Sequence, residues 1–318
     1  KSNRKILFVS SEVAPFSKTG GLADISSALP HALAKLGCDI RVLTPRYGSI
    51  DVKQHGLRPV GGPKDSVLSL RGHDFQIRFL EGNSQTGEPT VYFLDCAPLF
   101  DRPGIYVDPF SDRDYLDNDY RYIALSKAAF ELCRTLDWKP EIFHCHDWQT
   151  GLIAFYLMRE REAGNDSTAR SVMTVHNMAY QGLFPAETVA RIGGAERFYL
   201  PGGPLEFYDH VNFLKAGIEF ADGVNTVSPT YAKEIQSSYE FGFGLETVLR
   251  ARGDLTGILN GIDADIWDPS TDLRIPANYT AESLELKAEN KQALCRQVNL
   301  PYTPSTAIFG MISRIVGQ

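Results

Sequence analysis

The spacing of apolar residues changes period repeatedly along this chain, and each change predicts an element. Ile6, Leu7, Phe8 and Val9 form an unbroken apolar run, the pattern of a strand buried on both faces. Leu22, Ile25, Leu29, Ala32, Leu33 and Leu36 then recur at helical spacing. Pro15, Lys18, Thr19, Gly20 and Gly21 lie between them. Pro30 sits inside the helical pattern and predicts a kink or break near Leu29. Residues 39–44 predict a second strand, which completes a βαβ unit.

The pattern then turns to period two. Residues 66–70, 74–80 and 90–94 read as strands of an antiparallel insertion. Residues 98–119 form a long polar and aromatic loop, a kind that tends to be functional or disordered. Arg102 and Tyr106 in it are candidates to face a polyhydroxyl ligand, against a reading as a packed surface loop. Helices are predicted over 120–136, 152–158 and 213–221, alternating with strands over 142–145, 171–175 and 223–227. Ser228-Pro229 is a good N-cap followed by a first-turn proline. Residues 239–244 (YEFGFG) read as a loop near a site, 255–259 as a strand and 267–279 as a linker. A polar helix over 282–297 and a strand over 307–312 follow.

Length and composition narrow the class. The 318 residues suggest about two domains. A hydrophobic share of 43% with 22% charged residues is globular. No apolar run reaches the roughly 18 residues of a membrane span, and no signal-peptide profile opens the chain. A net charge of -7 argues against general nucleic-acid binding but permits a local basic pocket. The cysteines are odd in number, scattered and without a C-x-x-C, which fits reduced thiols.

Three constellations carry candidate chemistry. Strand, glycine loop and helix can make an anion site from backbone N–H groups and a helix N-terminus, with Lys18 adding a full charge; the same residues also fit a tight turn beside a solvated lysine. His144-Cys145-His146-Asp147-Trp148 ends one strand. It reads as a metal site, as a sugar-facing strand tip or as structure alone. His176-Asn177 ends the next strand, and both can hydrogen-bond hydroxyls. Ligands of open α/β sheets bind at such C-terminal strand ends.

At these residues the sequence resembles the ADP-glucose-using glycogen/starch synthases. The motifs are Lys18-Thr19-Gly20-Gly21-Leu22-Ala23-Asp24, His144-Cys145-His146-Asp147-Trp148, the run 174–182 (TVHNMAYQG), the run 225–232 (NTVSPTYA), Asn260-Gly261-Ile262-Asp263 and Ser313-Arg314. The resemblance implies an α/β fold of GT-B type, with two Rossmann-like domains across a cleft. Residues 1–259 would be the N-terminal catalytic domain, with a parallel central sheet and a β-rich insertion. Residues 260–318 would be a linker and the start of an incomplete second domain. The implied reaction is metal- and cofactor-free transfer of glucose, with retention, from ADP-glucose to the non-reducing end of an α-1,4-glucan. In that reading Lys18 and the Gly20 and Gly21 backbone meet the donor diphosphate, and Asp24 orients the loop or the nucleotide. Asp147 and His176 hold the transferred glucose, with His176 nearest the reacting centre. Tyr106, Trp148, Asn177 and Asn260 line the sugar sites, Asn260 on the donor side, and Arg314 begins a basic phosphate clamp. Bacterial cytoplasm or plastid stroma is the implied location. This chain alone is expected to lack synthase activity while keeping glucan contact. A non-catalytic glucan-binding half, and a metallohydrolase built on His144, His146 and Asp147, remain the alternatives.

Overall fold

The structure is a computed structural model and describes residues 3–61, 66–82, 88–165 and 168–312. Contacts divide the chain into two compact units, Lys1–Asn260 and Gly261–Gln318.

The first unit is built on one sheet. Its described strands are β1 (Lys5–Val9), β2 (Asp39–Pro45), β3 (Arg58–Pro59), β4 (Ser66–Leu70), β5 (His73–Glu81), β6 (Thr90–Asp95), β7 (Ile142–His146), β8 (Arg170–Val175), β9 (Gly223–Thr226) and β10 (Thr256–Gly257). Their order is β10-β9-β8-β7-β1-β2-β6-β5-β3, with β4 paired to β5. Every pair from β10 to β6 is parallel. Parallel sheets are covered on both faces, and β1 shows the consequence. Leu7 and Val9 enter one core, while Ile6 and Phe8 enter the other. Alternation therefore exists in space although the sequence shows only a solid apolar run.

The helices that matter for the site are α1 (Gly21–Lys35), α2 (Asn118–Thr135), α3 (Leu152–Glu162), α4 (Phe213–Phe220) and α5 (Pro229–Glu234). Leu29 and Leu33 of α1 pack on the Ile6, Phe8 and Val42 face, and residues of α2, α3 and α4 fill the opposite core. Ser228 caps α5 as its sequence indicates, accepting hydrogen bonds from the Thr230 and Tyr231 amides.

Several expectations are corrected. Helix α1 runs through Pro30 without a break. The proline removes one hydrogen bond to the Ser26 carbonyl, but its buried ring sits among the residues that hold the helix on the sheet. The β-rich stretch pairs antiparallel as expected, β4 with β5 and β5 with β6, but it is continuous with the main sheet because β6 also lies parallel to β2. Residues 98–119 hold a helical turn, Ala97–Phe100, and a small hairpin of Val107–Asp108 with Arg113–Asp114. Residues 239–244 form a helical turn, Tyr239–Gly242, closed by Phe243 and Gly244 at positive φ.

In the second unit, Thr280 and Ser283 make a capping box before α6 (Lys287–Gln297). The side chain of Asn290 bonds both the N–H and the carbonyl of Ala277. The expected strand over 307–312 is absent. Those residues carry no regular structure, and Phe309, Met311 and Ile312 are exposed. A strand needs a paired neighbour, and none is offered to it within this unit's described residues.

Close packing of α3 against α4 depends on glycine. A Cβ on Gly217 would lie 2.9 Å from the Gly151 Cα and 3.0 Å from the Met173 sulfur. Gly217→Ala is therefore expected to cost about 1–3 kcal/mol in urea unfolding. A loss below about 0.5 kcal/mol would show that these backbones stand farther apart.

Candidate active site

Chain order along the sheet reverses at β1. The chain passes from β1 to β2 on one side and later returns to β7 on the other. Such a switch point leaves a crevice outside the C-terminal strand ends. The residues after β1, β7 and β8 meet there.

Ser10, Ser11 and Glu12 follow β1 and are all buried. The Ser26 hydroxyl donates to the Ser10 hydroxyl, tying the start of α1 beneath the loop. Glu12 organises the loop. Its carboxylate accepts from the Thr19 amide, the Thr19 hydroxyl at 2.7 Å and the Gly20 amide at 3.2 Å. It also accepts from the Tyr106 hydroxyl at 2.7 Å. This corrects the expectation for Gly20: its N–H is already held by an internal anion rather than presented to a diphosphate. Lys18 pairs with Asp24 at 2.6 Å, and both side chains are about half exposed. Gly21 opens α1 with free space around its Cα. A cavity of about 490 Å³ lies against the same loop, lined in part by Val13, Phe16, Pro30, His31 and His55. Neither Asp147 nor His176 lines it.

Asp147 follows β7 with φ 55° and ψ −174°. That backbone region belongs almost only to glycine and costs of order 1–3 kcal/mol elsewhere. Bonds to the neighbouring strand help hold it: the Asp147 amide donates to the Thr174 carbonyl at 3.0 Å, and the His176 amide donates to Asp147 Oδ1 at 2.7 Å. Burial raises the Asp147 carboxyl above its ordinary value, opposed by the neighbouring His176 and the His176 and Asn177 amides.

The histidines stack behind it. His144 Nε2 lies 2.8 Å from the Thr174 hydroxyl. His146 is fully buried, and its Nδ1 lies 3.0 Å from His176 Nε2. Burial, reinforced by His176, lowers His144 to about 4. Burial, with His144 and His176 beside it, also holds His146 well below the usual imidazole value. These bonds point the rings at protein partners rather than at a shared ion. Among the described residues no group of three or more His, Cys, Asp or Glu is arranged to hold a metal. The metal-site reading of His144, His146 and Asp147 is thus not built.

Other candidates divide. Trp148 is buried in a box of Tyr122, Phe184 and Phe213, its ring lying where a Cβ on Gly182 would fall at 2.4 Å. It is a packing residue here, a correction to its expected place on a sugar-site wall. Asn177 spends its side-chain oxygen on the Ala179 amide and caps the turn after β8. Arg102 binds Asp117 and lies over Tyr115, so it fixes the loop rather than facing a ligand. Asn260 is exposed at the end of the first unit. Arg314 lies outside the described residues.

Sequence reasoning missed Glu12, His146 as a partner of His176, and Arg121. Arg121 is wholly buried and donates to the Leu99 and Ile105 carbonyls and to Asn118. It thereby anchors the segment that brings Tyr106 to Glu12. The only signal available was an arginine inside an otherwise apolar helix face. All five cysteines are free, and burial pushes Cys133 up to about 12 and Cys145 higher still, so these thiols stay protonated and inert.

This is an α/β fold with a polar, partly strained crevice at its switch point, the layout of a Rossmann-like ligand-binding half. The chain belongs to the starch synthase catalytic domain family, whose sequence model matches residues 5–251. It is 45% identical over 323 residues to the glycogen synthase of Anaeromyxobacter sp. strain Fw109-5, covering 99% of this chain and 64% of that protein. It is 41% identical over 316 residues to the glycogen synthase of Treponema denticola, covering 99% and 63%. The catalytic domain of starch synthase IV from Arabidopsis thaliana, solved with ADP and acarbose, superposes with a TM-score of 0.82 at 31% identity, covering 94% of this chain and 60% of that one. The chain thus spans just under two thirds of these relatives. No helix among the described residues is long and apolar enough to cross a membrane.

Two outcomes follow from the geometry. Neutral buried histidines give full stability above pH about 6.5, lost progressively as pH falls towards about 4 because only the unfolded chain takes up protons. The loss is up to about 1.4 kcal/mol per pH unit per histidine. Asp147 acts in the opposite sense, since its raised carboxyl binds a proton early. Thermal midpoints of wild type and His144→Gln separate the two: the variant should show the flatter acid limb, and parallel curves would contradict the buried-histidine account. Glu12→Gln, which sets an amide against the donors of the loop, should lower stability by about 1–3 kcal/mol and speed amide exchange at Thr19 and Gly20. Unchanged exchange there would mean that the carboxylate does not order the loop.

Proposed function

We propose that this chain is the acceptor-side catalytic half of an ADP-glucose-dependent glycogen/starch synthase. It transfers glucose with retention to the non-reducing end of an α-1,4-glucan, working in the cytoplasm of a bacterium or in a plastid. The observation that carries the reading is the Asp147–His176 pair, fixed at the switch-point crevice next to the glycine loop in a chain of this family. ADP carried by the starch synthase IV relative supports the adenine nucleotide as donor. A leaving nucleoside diphosphate gathers charge on its oxygens, and cations must stabilise it. Lys18, once released from Asp24, supplies one, with Gly21 opening a helix N-terminus beside it. Arg314 would supply another, and Asn260 would join the donor side. Asp147 and His176 would hold the hexose, while Tyr106, kept in place by Glu12 and Ser11, and Asn177 border it.

The test separates activity from folding. In the full-length protein, Asp147→Asn removes the charge but keeps an oxygen for the His176 amide. Stability at neutral pH should hold or rise, because burial already disfavours the carboxylate. Glucose transfer from ADP-glucose should fall roughly 100-fold or more. Retained transfer, or equal use of UDP-glucose by the wild type, would overturn the assignment.

A further inference from the structure

We infer that His146 is a positioning residue that sets the tautomer of His176, so that His176 meets its ligand as an N–H donor through Nδ1. The inference about the ligand rests on the site reading above; the tautomer itself does not.

The geometry is closed on all sides. His146 sits at the end of β7 with no exposed surface. Its ring is stacked on Phe8 at 4.1 Å between centroids and lies 4.2 Å from the His144 ring. Its backbone is clasped by Thr150, whose hydroxyl accepts from the His146 amide at 2.6 Å and donates to the His146 carbonyl at 2.9 Å. The ring cannot turn without breaking this packing. Its Nδ1 faces His176 Nε2 at 3.0 Å. Its Nε2 is buried and has no hydrogen-bond partner among the described residues.

A neutral imidazole carries one N–H, so the contact can be made in two ways. If His176 Nε2–H donates, the His146 proton must sit on Nε2, and a buried donor is stranded. If His146 Nδ1–H donates, only a lone pair is stranded. Orphaned buried donors are rarer in proteins than under-used acceptors, and the second arrangement is the one this pocket favours. Burial and the neighbouring His144 and His176 also keep His146 neutral, which excludes a doubly protonated bridge. The consequence lands on His176. Its Nε2 is consumed as an acceptor, its proton lies on Nδ1, and a substrate must offer that nitrogen an oxygen acceptor. A hydroxyl of a hexose fits; a group that can only donate does not.

The experiment begins with the wild-type chain, labelled with ¹⁵N-histidine and recorded without ligand at mildly alkaline pH. Long-range ¹H–¹⁵N correlations should show His176 protonated at Nδ1 and His146 protonated at Nδ1. His176 protonated at Nε2 overturns the inference. Variants then carry it to turnover in the full-length protein. His146→Asn keeps an N–H near the Nδ1 position and should hold kcat within about threefold of wild type. His146→Phe keeps the stacking but not the donor; it should move the His176 proton to Nε2 and lower kcat roughly 10- to 100-fold with KM little changed. Equal kcat for the Phe and wild-type proteins, with the His176 tautomer unmoved, also overturns it. His176→Ala with wild-type turnover would remove the site reading alone, leaving the tautomer to be decided by the spectrum.

Discussion

The hydrogen bond from the His176 amide to the Asp147 carboxylate is the constraint on which the crevice depends. It links the tips of two neighbouring parallel strands, and it spans residues whose backbones already exchange an amide and a carbonyl through Asp147 and Thr174. Asp147 can occupy a glycine-like backbone conformation because these bonds and the packed sheet over-determine it. The strain therefore has a local purpose. It turns a carboxylate that would follow β7 into the sheet sideways, into the crevice beside His176.

A second anion, Glu12, performs the matching task on the β1 side. Its carboxylate gathers the Thr19 and Gly20 amides and the Tyr106 hydroxyl into one knot. The Thr19 and Gly20 amides of the glycine loop are thus satisfied internally. The Lys18 ammonium is shared with Asp24 in an exposed and weak pair. Behind both carboxylates, burial keeps His144 and His146 neutral.

Much of the fold was legible because its strands are short apolar runs set between clear punctuation. β1, β2, β7, β8 and β9 stand where the pattern put them. The failures share a cause, namely that a local signal met a tertiary one. Pro30 signals a break, yet α1 continues because its buried face is anchored to the sheet. Ala307 to Ile312 has strand composition but no partner to pair with. β6 looked like part of an insertion because period two does not distinguish a parallel neighbour from an antiparallel one. At the candidate site, motif spacing singled out Lys18, Asp147 and His176. Glu12, Arg121 and His146 were not singled out, because each acts through another residue and across long separations in sequence: 94 positions for Glu12 with Tyr106, and 30 for His146 with His176. Trp148 was misread for the same reason, since only packing shows that its ring is enclosed.

Hydrogen–deuterium exchange of the full-length protein with and without ADP-glucose tests the central claim most directly. The account predicts that donor binding slows exchange at the amides of residues 18–21 and 147–148 and of His176 and Asn177, with the outer strands β3 to β5 unchanged. Protection confined to other segments, such as the cavity bordered by His31 and His55, would contradict it.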